Sequence, residues 1–211
     1  MGLVARARAQ VYDAVITGMT ARWYAAVLER LRPHGRLLDI GIGTGAALLA
    51  HADRVRALDL HVVGIDIDRD YVARCRAAVA AHGLADRIAV REESVYDHRG
   101  GPYDAAYFSG SFMLLPDPAA ALSCIRPQLR PQAPVFFTQT FEHARSPLLE
   151  RIKPWLRWAT TIDFGRVTYE PEFRRSVAAG GFEVVEVVEI DRGRARNSVI
   201  VTAHAATPTS G

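Results

Sequence analysis

Chemistry in this chain concentrates in the stretch Leu37-Leu38-Asp39-Ile40-Gly41-Ile42-Gly43-Thr44-Gly45. It reads as a buried strand running into a glycine turn, with an acid at the strand end. A second apolar run, Val62-Val63-Gly64-Ile65-Asp66, ends on another acid. Two strands of this kind, side by side, are what holding an adenosine-containing cofactor requires. Glycines let the ligand approach the backbone where a side chain would clash. A helix opening near Ala46 points free N–H groups at the bound molecule. The Asp66 carboxylate suits the two hydroxyls of a ribose, because ionised acceptors make the stronger hydrogen bonds.

The glycines also fit a loose dinucleotide fingerprint from Gly41 to Ala46, which taken alone is a weak signal. Two details favour a sulfonium donor instead. Asp39 precedes the first glycine by two residues, and a carboxylate there suits an ammonium and a sulfonium better than a pyrophosphate. The glycines alternate strictly at 41, 43 and 45. On these residues the chain resembles the class I S-adenosylmethionine-dependent methyltransferases of the small-molecule type. Their first motif, acid-x-glycine-x-glycine-x-glycine, is matched at every position from Asp39 to Gly45. Three other readings stay open: a strand–helix turn without ligand, a non-catalytic cofactor-binding partner subunit, and an NAD-dependent oxidoreductase.

Elements that would position these residues follow from periodicity and turn chemistry. Val11, Val15, Met19, Trp23 and Val27 recur every four residues, with Tyr12, Ile16 and Leu28 beside them, so 5–31 reads as a helix. Strands are expected at 36–40, 61–66, 87–92, 103–109 and 134–140. A helix is expected at 45–58. Asp68 should cap a helix over 69–81, ended by His82-Gly83. Another follows Asp117-Pro118. Helices at 148–160 and 171–179 precede a hairpin of 182–190 and about 197–203. Alternating strands and helices imply an α/β, doubly wound, mostly parallel sheet of seven strands. The short last connection makes the C-terminal hairpin antiparallel. The resembled enzymes end the same way. The chain reads as a single domain over 1–211, with a helical cap at 1–32, an insertion at 144–170 and a frayed tail from His204 to Gly211.

In an open parallel sheet, ligands sit beyond the C-terminal strand ends. That places Asp39, Gly41, Ile42, Gly43 and Gly45 at the methionine part of the cofactor, and Asp66 and Ile67 at ribose and adenine. The resemblance implies an adenine contact after the third strand. Counting puts it on Ser94 and Val95, where the family's usual acid is missing and Glu93 or Asp97 stands nearby. It also implies that Tyr12, on the N-terminal helix, closes over the cofactor. Ser109, after the fourth strand, should touch the methionine part.

The segment Ser109-Gly110-Ser111-Phe112-Met113 narrows the acceptor. It lacks the diproline of amino-methylating DNA enzymes and the proline-cysteine nucleophile of cytosine-5 enzymes. Ser109 and Gln139 stand where metal-dependent catechol-type enzymes carry acids, so no metal is expected. A small-molecule acceptor is left, and no nucleic-acid partner is expected. Methyl transfer from a sulfonium relies mainly on proximity. Glu142 and His143 are the candidates if a base is needed, with Asp163 further on. Phe112 after the fourth strand, and Trp158, Phe164 and Tyr169 of the aromatic stretch 144–170 that also holds Trp155, are the candidate walls of the acceptor pocket.

Composition agrees. The 211 residues, 49% of them hydrophobic, suffice for one sizeable core. There is no apolar run of 18 and no signal-peptide pattern, so no membrane span is expected. Only Cys75 and Cys124 are present, which fits a reducing, cytoplasmic setting and gives neither a disulfide framework nor a zinc site. Net charge is +3, carried almost wholly by arginine. The run Arg192-Gly193-Arg194-Ala195-Arg196 reads as a solvated hairpin turn.

Overall fold

The apolar runs at 37–40, 62–65 and 105–108 form strands buried on both faces, as the centre of a parallel sheet requires. The computed structural model describes residues 18–142, 169–192 and 196–207. A first helix, α1, occupies 18–28. The chain then runs through β1 (Arg36–Ile40), α2 (Ala46–Leu49), α3 (Ala52–Ala57), β2 (His61–Asp66), α4 (Arg69–Ala81) and β3 (Ile88–Glu92). It continues through β4 (Ala105–Ser109), α5 (Pro118–Ile125), β5 (Val135–Glu142), α6 (Glu170–Ala179), β6 (Phe182–Arg192) and β7 (Arg196–Ala205). The strands make one seven-stranded sheet in the order β3-β2-β1-β4-β5-β7-β6. β1 to β5 are parallel, and β7 pairs antiparallel with β5 and β6.

Register follows the side-chain period of two. Leu37 and Tyr107 point to one face, where Tyr24, Leu28, Leu48, Val72 and Cys75 cover them. Leu38 and Phe108 point to the other, where Leu122, Ile125, Phe173 and Val177 cover them. α1 to α4 therefore cover one face and α5 and α6 the other. The strand order reverses between β1 and β4, where both connections leave a crevice at the C-terminal strand ends.

The expected sheet, the hairpin and the bounds of β2 and α4 match the structure. Asp68 caps α4 by accepting from Asp70 N and Tyr71 N at 2.9 and 3.0 Å. Gly83 takes the left-handed conformation after that helix, at φ 61°. The expected helix over 45–58 is instead two short ones, α2 and α3. At the break the His51 ring turns to the Ala21 carbonyl of α1, 2.7 Å away, tying the N-terminal helix to the turn between α2 and α3. β4 starts at Ala105 rather than Tyr103, which makes one isolated bridge to Leu129 and turns its hydroxyl to His98 at 2.8 Å. β5 runs on to Glu142 because β7 keeps pairing with it as far as Arg196. The helix expected at 148–160 lies outside the described residues.

Candidate functional site

The site grows from the turn after β1. Gly41, Gly43 and Gly45 all take left-handed backbone, with φ of 79°, 60° and 71°. A side chain in that region is strained. The surroundings of the three differ. A Cβ on Gly41 would lie 2.8 Å from Ser111 Cβ, and one on Gly45 would lie 2.5 Å from Cys75 Sγ. Nothing stands within 4 Å of the corresponding point on Gly43. Gly41 and Gly45 are thus small because protein packs on them, whereas Gly43 opens onto free space.

Asp39 sits beneath this turn and is fully buried. Its Oδ2 accepts from the Tyr24 hydroxyl of α1 at 2.7 Å, while its Oδ1 has no partner. Burial pushes the carboxyl up to about 7, the hydrogen bond from Tyr24 opposes the rise, and the Asp66 charge adds to it. An orphaned, enclosed carboxylate oxygen is expensive unless a donor arrives to satisfy it. The ammonium group of an amino-acid ligand supplies such a donor.

Asp66 closes the other side. One of its oxygens accepts from Gly43 N and the other from Asp68 N, both at 2.9 Å. A carboxylate offers about four acceptor positions, so two remain for hydroxyls. Next to it Ile67 is 77% exposed, an apolar surface at the strand end. Glu93 N donates to the Asp66 backbone carbonyl at 3.0 Å, which brings the turn after β3 beside the end of β2. An enclosed oxygen seeking a donor, an open glycine and a half-buried acid with spare acceptor capacity fit the amino-acid and ribose ends of S-adenosylmethionine.

The other expected residues divide. Ile42 is buried with its side chain against Gly64, so only its backbone faces the turn. Ser94 opens a turn, with its carbonyl accepting from Asp97 N at 3.0 Å and His98 N at 2.9 Å. Val95 packs into the core at 4% exposure. Glu93 is engaged by the buried His98, Oε2 to Nδ1 at 2.9 Å, and Asp97 is exposed. Ser109 ends β4, half-buried.

Phe112 is a correction. Its ring is fully enclosed, edge-on to Phe108, Phe137 and Phe173 at centroid distances of 5.2, 4.8 and 5.5 Å, so it is core rather than pocket wall. Tyr169 lines a cavity of about 710 Å³ with Phe141, Pro171, Arg175 and Asn197. Tyr12, His143, Trp158 and Phe164 lie outside the described residues, as does the side chain of Glu142.

Two residues were missed from sequence. Tyr24, beside Trp23 on the N-terminal helix, carries no sequence signal beyond helical burial. Ser111 ties β1 to β4, its hydroxyl donating to Ile40 O at 2.7 Å. In addition, Trp23 of α1 packs on Gly110, where a Cβ would meet its Cζ3 at 3.1 Å. The N-terminal helix thus seals the strand ends through Trp23 and Tyr24 together.

The glycines give a direct test. Gly43→Ala is expected to abolish cofactor binding while lowering stability only by the left-handed strain, ~1–2 kcal/mol. Gly45→Ala adds a clash with buried Cys75 and should lower the melting temperature more. Thermal melts and calorimetric titration of both variants check this. Equal effects on binding and on melting for the two would contradict it.

Comparison with known proteins follows the same line. A family model described as a methyltransferase domain matches residues 12–187. A tRNA1(Val) (adenine(37)-N6)-methyltransferase of Aeromonas salmonicida is 37% identical over 93 residues, 42% of this chain and 39% of the relative. A phosphatidylethanolamine N-methyltransferase of Cereibacter sphaeroides is 27% identical over 145 residues, 65% of this chain and 69% of the relative. The chain therefore spans less than half of the first relative's length and about two thirds of the second's. A solved structure of a SAM-dependent methyltransferase from Aquifex aeolicus superposes with a TM-score of 0.68 at 20% identity, covering 87% of this chain and 89% of that one. At that identity the likeness is one of fold.

Proposed function

Since this chain belongs to the methyltransferase-domain family, a class of S-adenosylmethionine-dependent enzymes, we propose that it transfers a methyl group from that cofactor to a small-molecule acceptor. The observation that carries the reading is the convergence of the unpartnered Asp39 Oδ1, the open Gly43 and the Asp66 carboxylate on one crevice. Bound there, S-adenosylmethionine supplies an already activated methyl on a sulfonium. The chain's task is then to hold, orient and exclude water.

Asp39 takes the ammonium. The backbone of Gly41 to Gly45 takes the methionine part at close range, and Ser109 borders it. Asp66 takes the ribose hydroxyls, Ile67 and the turn at Ser94 and Val95 take the adenine, and Tyr12 closes from the N-terminal segment. Holding donor and acceptor in line supplies most of the acceleration. Where the acceptor must lose a proton, Glu142 and His143 at the end of β5 are the proposed bases. Tyr169, with Trp158 and Phe164 of the 144–170 insertion, is proposed to wall the acceptor.

A small acceptor is favoured over nucleic acid because the segment after β4 lacks the diproline of amino-methylating DNA enzymes. Among the described residues no helix is long and apolar enough to cross a membrane, and the two free cysteines support a cytoplasmic setting. The experiment is incubation with isotopically labelled methyl donor against a panel of amines, phenols and a tRNA transcript. Label in a small molecule is expected. Label in tRNA alone would overturn the acceptor class. Cofactor binding without transfer to any acceptor would instead favour a non-catalytic partner subunit.

A further inference from the structure

We infer that Tyr24 is a positioning residue of the cofactor site: from α1 its hydroxyl holds the Asp39 carboxylate in place and leaves the second oxygen for the cofactor's ammonium group. The inference rests on the proposed cofactor and adds to it a residue, a pH dependence and a link between helix docking and binding.

The geometry leaves Tyr24 little freedom. Its side chain is 2% exposed. Its ring stands edge-on to Tyr107, with centroids 5.0 Å apart and planes at 89°. The Tyr107 hydroxyl is in turn paired with Thr138 Oγ1 at 2.8 Å. A ring so fixed offers its O–H in one direction, and the acceptor there is Asp39 Oδ2 at 2.7 Å. With Oδ2 taken, Oδ1 is left buried and without a partner. One donor thus fixes both the orientation of the carboxylate and which oxygen stays available.

Charge around Asp39 explains why this donor matters. The groups that face it are Tyr24 from α1, Asp66 from β2, Tyr107 from β4 and Cys75 from α4. Among these described groups there is no cation. Burial and the Asp66 charge both favour the protonated acid, and the Tyr24 hydroxyl is what opposes them. A protonated Asp39 presents no charge to an ammonium. Without Tyr24 the carboxyl would hold its proton to higher pH, and the cofactor would lose its charge partner at neutrality. Because Tyr24 belongs to α1, docking of that helix and cofactor binding favour one another, reciprocally.

The test is calorimetric titration of S-adenosylhomocysteine, which keeps the ammonium and lacks the transferable methyl, across pH 6 to 8.5. Wild-type affinity should rise as pH passes through about 7 and then level. Tyr24→Phe retains the ring and its contact with Tyr107. It should bind about five- to tenfold more weakly at pH 7, with the midpoint moved to higher pH by about one unit or slightly more. It should recover most of the loss by pH 8.5. Asp39→Asn should bind weakly with a flat profile, and adding Tyr24→Phe to it should change nothing further. A tenfold loss that stays constant across pH would mean that Tyr24 only packs, and would overturn the inference while leaving the cofactor assignment intact. If wild type failed to bind at every pH, the proposed function would fall and this inference with it.

Discussion

Asp66→Ala is expected to weaken S-adenosylhomocysteine binding by about a hundredfold while the domain stays folded. Hydrogen bonds to a charged group contribute ~1.5–3 kcal/mol each, and loss of a ribose clamp should cost about 3 kcal/mol. The structure adds a second route to the same loss. Asp66 also accepts from Gly43 N and Asp68 N, so its removal frees the open glycine and the start of α4 as well. Those two bonds are half-exposed, and their loss should lower the melting temperature by only a few degrees. Calorimetry and a thermal melt on the same preparation separate the two effects. Unchanged affinity would move the ribose elsewhere. Asp68 would be the first suspect, although its Oδ1 already caps α4.

Asp39→Asn is expected to act in opposite directions on binding and on stability. In the folded chain the carboxyl titrates at about 7, against 3.8 when free. A raised acid pKa means that the folded state holds its proton between about pH 4 and pH 7 while the unfolded chain has released it. Stability from this group therefore falls as pH rises through that window, and the cost is fully present above pH 7. At roughly 1.4 kcal/mol per unit the full cost is on the order of 4 kcal/mol.

The amide carries no charge, but it leaves an N–H2 group short of partners, at about 1–3 kcal/mol. The net expectation is an apo-protein whose melting temperature at pH 8 rises by several degrees, with the gain reversed to a small loss toward pH 4, where only the amide's cost remains. Binding of S-adenosylhomocysteine at pH 8 should fall by tenfold or more. A variant less stable than wild type at pH 8, with wild-type melting independent of pH from 4 to 8, would contradict this account of Asp39. Tolerance of so costly a residue is the pattern expected where a ligand, rather than the fold, needs the charge.

What could be read from the chain depended on whether a signal was local. β2, α4 and the Asp68 cap were legible because strand alternation, capping chemistry and the left-handed Gly83 all sit within a few residues of what they determine. The Asp39-to-Gly45 turn was legible for the same reason. The break between α2 and α3 was not, because it is held by His51 reaching Ala21, a contact across thirty residues of sequence.

Tyr24 shows a different limit. Helical periodicity marks it as buried but cannot tell a packing tyrosine from one whose hydroxyl has a task. A buried tyrosine nonetheless needs a partner, and a buried acid such as Asp39 needs a donor. Setting those two needs side by side would have paired them. Phe112 went wrong for the converse reason. Its place after β4 suggested the acceptor, whereas the aromatic cluster of Phe108, Phe137 and Phe173 assembles from β4, β5 and α6 and claims the ring for the core.

The central claim is that the crevice over β1, β2 and β4 holds S-adenosylmethionine. Calorimetric titration of the wild-type protein at pH 8, once with S-adenosylhomocysteine and once with NAD, tests it most directly. Saturable one-to-one binding of S-adenosylhomocysteine at micromolar concentration is expected, with none for NAD. Saturable NAD binding with no heat from S-adenosylhomocysteine would contradict it.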